Sequence, residues 1–250
     1  MVQLCLIGKS PSNLLQHVWK EVLSYLVDFF DFFFPKLCAG CDAHLRTGEK
    51  DLCLHCVFQL PKTYFWSYDV NPIEKLFMGR LKLDGACAFL HFYKGGKVQQ
   101  MLHRMKYGGQ PQIGHHLGIM FAHQLATKGQ FLDVDVIVPV PLHHTRQTRR
   151  GYNQSMFIAR GMAEVFKCRV NGRNLVRNHA TLTQTKKSRY DRSTNVESVF
   201  ACDRPEFFRG KCVMLVDDVV TTGSTLEAAG RVLLEAGVAK LYIAALACPD

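Results

Sequence analysis

The sequence predicts an α/β protein built on a parallel sheet, with a small metal-binding module ahead of it. Three observations carry this. From Asp84 onward, short apolar runs alternate with segments of helical period, the pattern of strands buried between helices. One of those runs ends on two adjacent carboxylates and a Thr-Thr-Gly turn before the next helix. Upstream, two Cys-x-x-Cys pairs stand eleven residues apart.

Taken in order, residues 14–34 read as an amphipathic helix, with Leu14, Val18, Val22, Leu26, Phe29 and Phe33 at three- and four-residue steps. Pro35 stops it. Its apolar face packs on the rest of the protein or, given the aromatic end, on a partner or a membrane surface. The module over 37–60 presents Cys38, Cys41, Cys53 and Cys56, four thiols that suit one tetrahedral zinc ion. A redox pair is the competing reading. The gap is short for a zinc ribbon but leaves slack for a turn through Gly48. The other six cysteines sit singly among apolar neighbours and read as small buried hydrophobes. After an aromatic loop over 61–68, strands are expected at 86–93, 135–140, 212–216 and 240–247. Helices are expected at 98–106, 114–126, 153–166 and 224–235. The domains are thus a helix at 1–36, the cysteine module at 37–60 and the sheet domain at 84–250.

With 48% apolar residues the chain can fill a core, which excludes a disordered protein. Its longest greasy stretch is broken by Asp28 and Asp31, so no membrane span is expected. No basic run precedes an apolar core at the N-terminus, so no secretory leader is expected and the location reads as cytoplasmic. The net charge of +10 is concentrated. Between Pro141 and Asn195 twelve Lys and Arg face only Glu164 and Asp191, so this block carries the whole excess. Such a block binds phosphates, of a small ligand or of a nucleic-acid backbone.

The segment 213–226 carries the most chemistry. Apolar Val213 to Val216 forms a buried strand, and Asp217 and Asp218 stand at its end. Gly223 and the start of the following helix suit an anion, with backbone N–H groups and hydroxyls of Thr221, Thr222, Ser224 and Thr225 as donors. The two carboxylates accept from sugar hydroxyls or steer a divalent cation. Phosphate and diol together describe a ribose phosphate.

This segment resembles the 5-phosphoribosyl-1-pyrophosphate (PRPP) motif of type I phosphoribosyltransferases. With MLHRMKYGGQPQIGHHLG, VPVPLHHTRQTRRGYNQS, TLTQTKKSRYDRSTNV and the cysteine pairs upstream, the chain resembles the ComF family of competence-associated proteins. The resemblance implies a type I phosphoribosyltransferase fold with an N-terminal zinc ribbon, PRPP bound with Mg²⁺, and a part in natural DNA uptake through single-stranded DNA and the uptake machinery. It implies PRPP contacts from Val219, Val220, Thr221, Thr222, Gly223, Ser224 and Thr225. Val140 and Pro141 would open the pyrophosphate loop, and 183–195 would form a mobile hood.

For an active transferase, the resemblance makes Asp217 and Asp218 hold the ribose and stabilise an oxocarbenium-like state, while Arg146 neutralises departing pyrophosphate. Lys186, Lys187, Arg189 and Arg192 on the hood would close over it. The competing reading is a binder of single strands. In it Arg149, Arg150 and the hood cations follow the backbone, and Tyr107, Tyr152 and Tyr190 offer stacking surfaces.

Overall fold

The computed structural model describes residues 19, 35–127, 129, 131–177 and 199–250. Of the expectations above, the N-terminal helix (Trp19 apart) and the hood with Lys186, Lys187, Arg189, Tyr190 and Arg192 lie outside these residues.

The sheet domain follows the predicted alternation. Strand β1 (Gly85–Phe92) leads to helices α3 (Lys97–Tyr107) and α4 (Gln112–Ala126), which follow α1 (Leu54–Phe58) and α2 (Pro72–Phe77) upstream. Next come β2 (Val136–Pro139), α5 (His144–Arg150), α6 (Gln154–Phe166) and β3 (Arg169–Val170). A two-strand hairpin, β4 (Leu175–Arg177) and β5 (Phe200–Cys202), precedes β6 (Cys212–Val219), α7 (Ser224–Glu235) and β7 (Lys240–Pro249). Five strands form one parallel sheet in the order β1-β7-β6-β2-β3. Chain order runs outward from β2 to β3 on one side and from β6 to β7 on the other. The crevice between the carboxyl ends of β2 and β6 is therefore a topological switch point, where parallel sheets take ligands.

Several elements escape the sequence pattern for physical reasons. α5 has no buried residue, so no apolar period announces it; His143 caps its start and Gly151, at φ +76°, ends it. α1 and α2 are too short for periodicity, and α2 is defined by a capping box between Asn71 and Glu74 with Pro72 at its first turn. β3 and β4 are two and three residues long. β6 runs to Val219 rather than Val216, because its carboxylate-bearing end still pairs with β7, Asp217 against Ala245 and Val219 against Ala247.

At the amino edge, Asp84 and Asp135 each accept from an N–H at the start of a neighbouring strand, Leu241 and Cys212, both at 2.9 Å. Of the single cysteines, Cys87 and Cys248 are buried, whereas Cys168, Cys202 and Cys212 are half-buried. Among the described residues no helix is long and apolar enough to cross a membrane.

Helices α4 and α6 cross backbone to backbone. A Cβ on Gly161 would lie 2.0 Å from the His115 carbonyl oxygen, and one on Gly118 would lie 2.4 Å from that of Ile158. Ala at an ordinary helical Gly site gains about 1 kcal/mol of propensity. Here the clash with main chain reverses the sign, so Gly161→Ala should destabilise by about 2–3 kcal/mol in urea unfolding. An unchanged or raised midpoint would show that the two helices are not in close contact.

Candidate functional site

The site grows from the end of β6. Val213 to Val216 are fully buried, and the strand emerges with Asp217 and Asp218 both half-buried. Asp217 Oδ1 accepts from Ser155 Oγ at 3.0 Å and from the Asp218 N–H at 2.8 Å. Ser155 reaches it because Asn153 caps α6 with its Oδ1 while its Nδ2 donates to the Val140 carbonyl at 2.9 Å. That bond ties the start of α6 to the end of β2. Asp218 pairs instead with Lys106 Nζ at 2.8 Å, from the last turn of α3. Burial, and next the charge of Asp218, push the Asp217 carboxyl up to about 7, against the pull of its two hydrogen bonds.

Beyond the carboxylates the chain turns through 219–223 into α7, around a notch of about 40 Å³. Thr221, Thr222, Ser224 and Thr225 are exposed there. The first amides of α7 precede its first helical bond, Glu227 N–H to Gly223 C=O at 2.8 Å, and are oriented for an anion. Two expected contacts are otherwise engaged. Val220 is buried and its N–H donates to Ala247, while Val140 is buried and donates to Val216 as it accepts from Asn153. Both position the loops rather than offer N–H donors. Pro141 is half-buried.

The Gly223 Cβ position faces packed side chains of α2. The residue sits at φ +74°, and a Cβ there would meet Phe77 Cε1 at 2.8 Å and Leu76 Cδ2 at 3.2 Å. The glycine permits a left-handed turn and close packing on α2. The same side braces the loop through Arg80, which donates to the Thr222 carbonyl at 3.0 Å and pairs with Glu227 at 2.5 Å. Glu227 also pairs with Arg231 at 2.7 Å.

Beside the carboxylates lies a depression of about 430 Å³ lined by Lys106, Tyr107, Arg146, Arg149 and Arg150. Arg146 stands on α5 rather than in a loop, because His143 caps the helix just after the turn from β2. Arg150 donates to the Tyr107 hydroxyl at 3.0 Å with its guanidinium 4.8 Å from the ring centre, which lowers the phenol pKa. Tyr107 is exposed, but Tyr152 is half-buried with its hydroxyl donating to Met105 C=O at 2.8 Å. Tyr152 is thus a packing residue and not an open stacking surface.

The described part of the basic block is not one surface. Lys167 and Arg169 flank the start of β3, which pairs with the start of β2, so they lie at the amino edge, opposite Arg146, Arg149 and Arg150. Arg160 and Arg177 rest on Phe157 and Phe200. The reason is topological: α6 carries the chain from one edge of the sheet to the other, bearing Arg160 along its length and ending at Lys167.

The four cysteine ligand atoms lie within 4.8 Å of one another. The Cys41 and Cys53 sulfurs are 3.7 Å apart. A tetrahedral zinc with bonds of about 2.3 Å needs sulfurs separated by about 3.8 Å, so the set fits. Backbone N–H groups of Gly40 and Cys53 point to Cys38 Sγ at 3.4 and 3.3 Å, as thiolates require. The four residues can hold one metal ion. Arg104 on α3 fastens this module by pairing with Asp42 and donating to the Cys38 carbonyl at 3.2 Å; His116 on α4 pairs with Asp51.

Sequence reasoning missed Lys106, Ser155 and Arg80. Each meets the site across a long stretch of chain, and only the KY dipeptide at the end of an amphipathic helix hinted at the first.

A family model for the phosphoribosyl transferase domain matches residues 148–249. The chain is 30% identical over 217 residues to competence protein F of Haemophilus influenzae, covering 84% of this chain and 90% of that protein. It is 32% identical over 150 residues to the DNA utilization protein YhgH of Escherichia coli K12, a match spanning 65% of that protein's length. To competence protein ComFC of Bacillus subtilis it is 35% identical over 104 residues, 42% of this chain and 40% of that one. Among solved structures, the B. subtilis glutamine PRPP amidotransferase bound to ADP and GMP aligns with a TM-score of 0.40 and 23% identity, over 55% of this chain and 26% of that one.

The raised Asp217 carboxyl has a consequence for stability. A group whose pKa is higher folded than unfolded favours the fold most below its unfolded pKa, and that contribution is lost as pH rises through the folded value. From an ordinary value of 3.8 to about 7, stability should therefore fall as pH rises from about 4 to about 7. Asp217→Asn keeps Oδ1 as an acceptor and removes the charge. Its melting temperature should match wild type most closely near pH 4 and exceed it by a widening margin up to pH 8; a variant less stable at pH 8 would contradict the assignment.

Proposed function

The chain belongs to the competence protein F (ComF) family and has a type I phosphoribosyltransferase fold, and from that premise we propose that it binds PRPP or ribose 5-phosphate and handles single-stranded DNA in natural DNA uptake. One observation carries the first half. At the switch point of the sheet, a carboxylate pair and the exposed hydroxyl loop opening α7 stand side by side. The loop and the α7 amides suit the 5-phosphate, and Asp218 and Asp217 suit the ribose hydroxyls. Mg²⁺, held by the pyrophosphate and steered by the carboxylates, would supply charge neutralisation. The names of the relatives, competence and DNA utilization proteins, support a part in DNA uptake; single strands as the form handled and the cytoplasm as the place belong to the proposal.

A second reading, transfer of the phosphoribosyl group to an acceptor, is favoured by the cationic depression adjoining the carboxylates. Lys106 and Arg146 lie where a leaving pyrophosphate would gather charge, and the carboxylates lie where an electron-poor sugar would. Release of pyrophosphate from PRPP distinguishes transfer from binding alone.

The two ligands should respond to different variants. Thr221→Glu adds a charge to the loop at an exposed side chain, so calorimetry should show PRPP binding weakened at least tenfold with the melting temperature unchanged. Arg149→Glu with Arg150→Glu should instead weaken single-stranded DNA binding measured by anisotropy. Three or four phosphate contacts in the depression imply a log–log salt slope of about −2 to −3, or a 20- to 50-fold loss between 50 and 200 mM salt. Equal PRPP binding by wild type and Thr221→Glu would place the phosphate elsewhere. DNA binding insensitive to salt would leave the arginines to pyrophosphate.

We assign the cysteine set to structural zinc. Elemental analysis of purified protein should find one zinc per chain, and Cys56→Ser should lose it and lower the melting temperature, because binding free energy of a structural zinc is folding free energy. Absence of stoichiometric zinc, with Cys56→Ser as stable as wild type, would refute the assignment.

A further inference from the structure

Lys106 belongs to both halves of the site. Its Nζ lies 2.8 Å from Asp218 Oδ2, and the same side chain lines the arginine depression. The pair is sheltered on both sides, with side-chain exposures of 22% and 15%. While it stands, it occupies an Asp218 oxygen that would otherwise accept from a sugar hydroxyl. Among the described residues no carboxylate lines the depression. Arg150 is engaged by Tyr107, but Arg146 and Arg149 make no ion pair among the described residues. A polyanion seated there would have Lys106 within its reach and would compete with Asp218 for it.

We propose that Lys106 is a two-position cation that couples the depression to the ribose side of the site. With the depression empty it sits on Asp218; with phosphate or pyrophosphate bound it turns to that anion and frees Asp218 for the ribose diol. The inference rests on the reading of the β6–α7 loop as a ribose phosphate site, and makes Lys106 a positioning residue within it. The chemistry suits lysine. Its ammonium is a point charge on a flexible stem, able to exchange partners without moving the helix. A partly sheltered pair is worth on the order of 1 kcal/mol, about fivefold in affinity, which bounds what its release can contribute. Coupling is reciprocal, so ribose phosphate must tighten pyrophosphate binding by the same factor.

The test is calorimetric titration of the full chain with ribose 5-phosphate at fixed free Mg²⁺, with and without saturating inorganic pyrophosphate. Wild type should bind ribose 5-phosphate roughly three- to fivefold tighter with pyrophosphate present. Lys106→Met should bind it tightly without pyrophosphate and gain nothing when pyrophosphate is added, whereas Lys106→Arg should keep the gain. The proposal is overturned if the gain persists in Lys106→Met, or if wild type binds equally with and without pyrophosphate. A Lys106→Met protein that melts lower, binds more weakly and still shows the gain would make the pair merely structural, and would also overturn it. If wild type and both variants all fail to bind ribose 5-phosphate, the ribose phosphate reading itself falls and takes this one with it.

Discussion

Two adjacent carboxylates at the end of a buried central strand impose the constraint that organises this molecule. Like charges so close, and half-shielded from water, cannot both stand ionised without help. The protein treats them differently. Asp218 takes a lysine from α3, while Asp217 takes a hydroxyl from α6 and its neighbour's N–H, and keeps a raised pKa. Those partners arrive from opposite stretches of chain, so α3, α6 and β6 must all be in place before the pair is tolerated.

The surrounding loop is braced by elements with no direct chemical part to play. α2 is fixed by a capping box and by Asn71 Nδ2 donating to the Ala86 carbonyl at 2.7 Å, and it presents Phe77 and Leu76 to the one glycine of the loop. Arg80, Glu227 and Arg231 then hold the loop's carbonyl and the first turn of α7. Helix α3 has two duties. Arg104 fastens the cysteine module, and Lys106, two residues on, meets Asp218. A cysteine module that can hold a metal ion and the carboxylate site thus share one helix.

Family membership and geometry also bear on the basic block. A run of twelve cations reads as a continuous polyanion track, but among the described residues α6, crossing from one edge of the sheet to the other, separates Arg146, Arg149 and Arg150 from Lys167 and Arg169. What stays together is the cluster on α5 and the end of α3, next to the carboxylates. The anion surface among the described residues is therefore local.

The sheet, its order of helices and the PRPP-like loop were legible in the sequence because they depend on local patterns. Apolar runs, helical period, paired acids before a Thr-Thr-Gly turn and paired cysteines each announce themselves within a few residues. α5 was not legible, since a helix with no buried face has no apolar period. Nor were the roles of Lys106, Ser155 and Arg80, whose partners are brought near only by the folded sheet. Gly223 shows the difference within one residue. Its need for a positive φ follows from the turn it occupies, but the phenyl ring packed against it belongs to a helix far upstream, and only tertiary packing decides what a side chain there would strike. Local sequence determines which conformations a segment prefers; which distant groups neutralise its charges and fill the space beside it is decided by the closure of the whole fold.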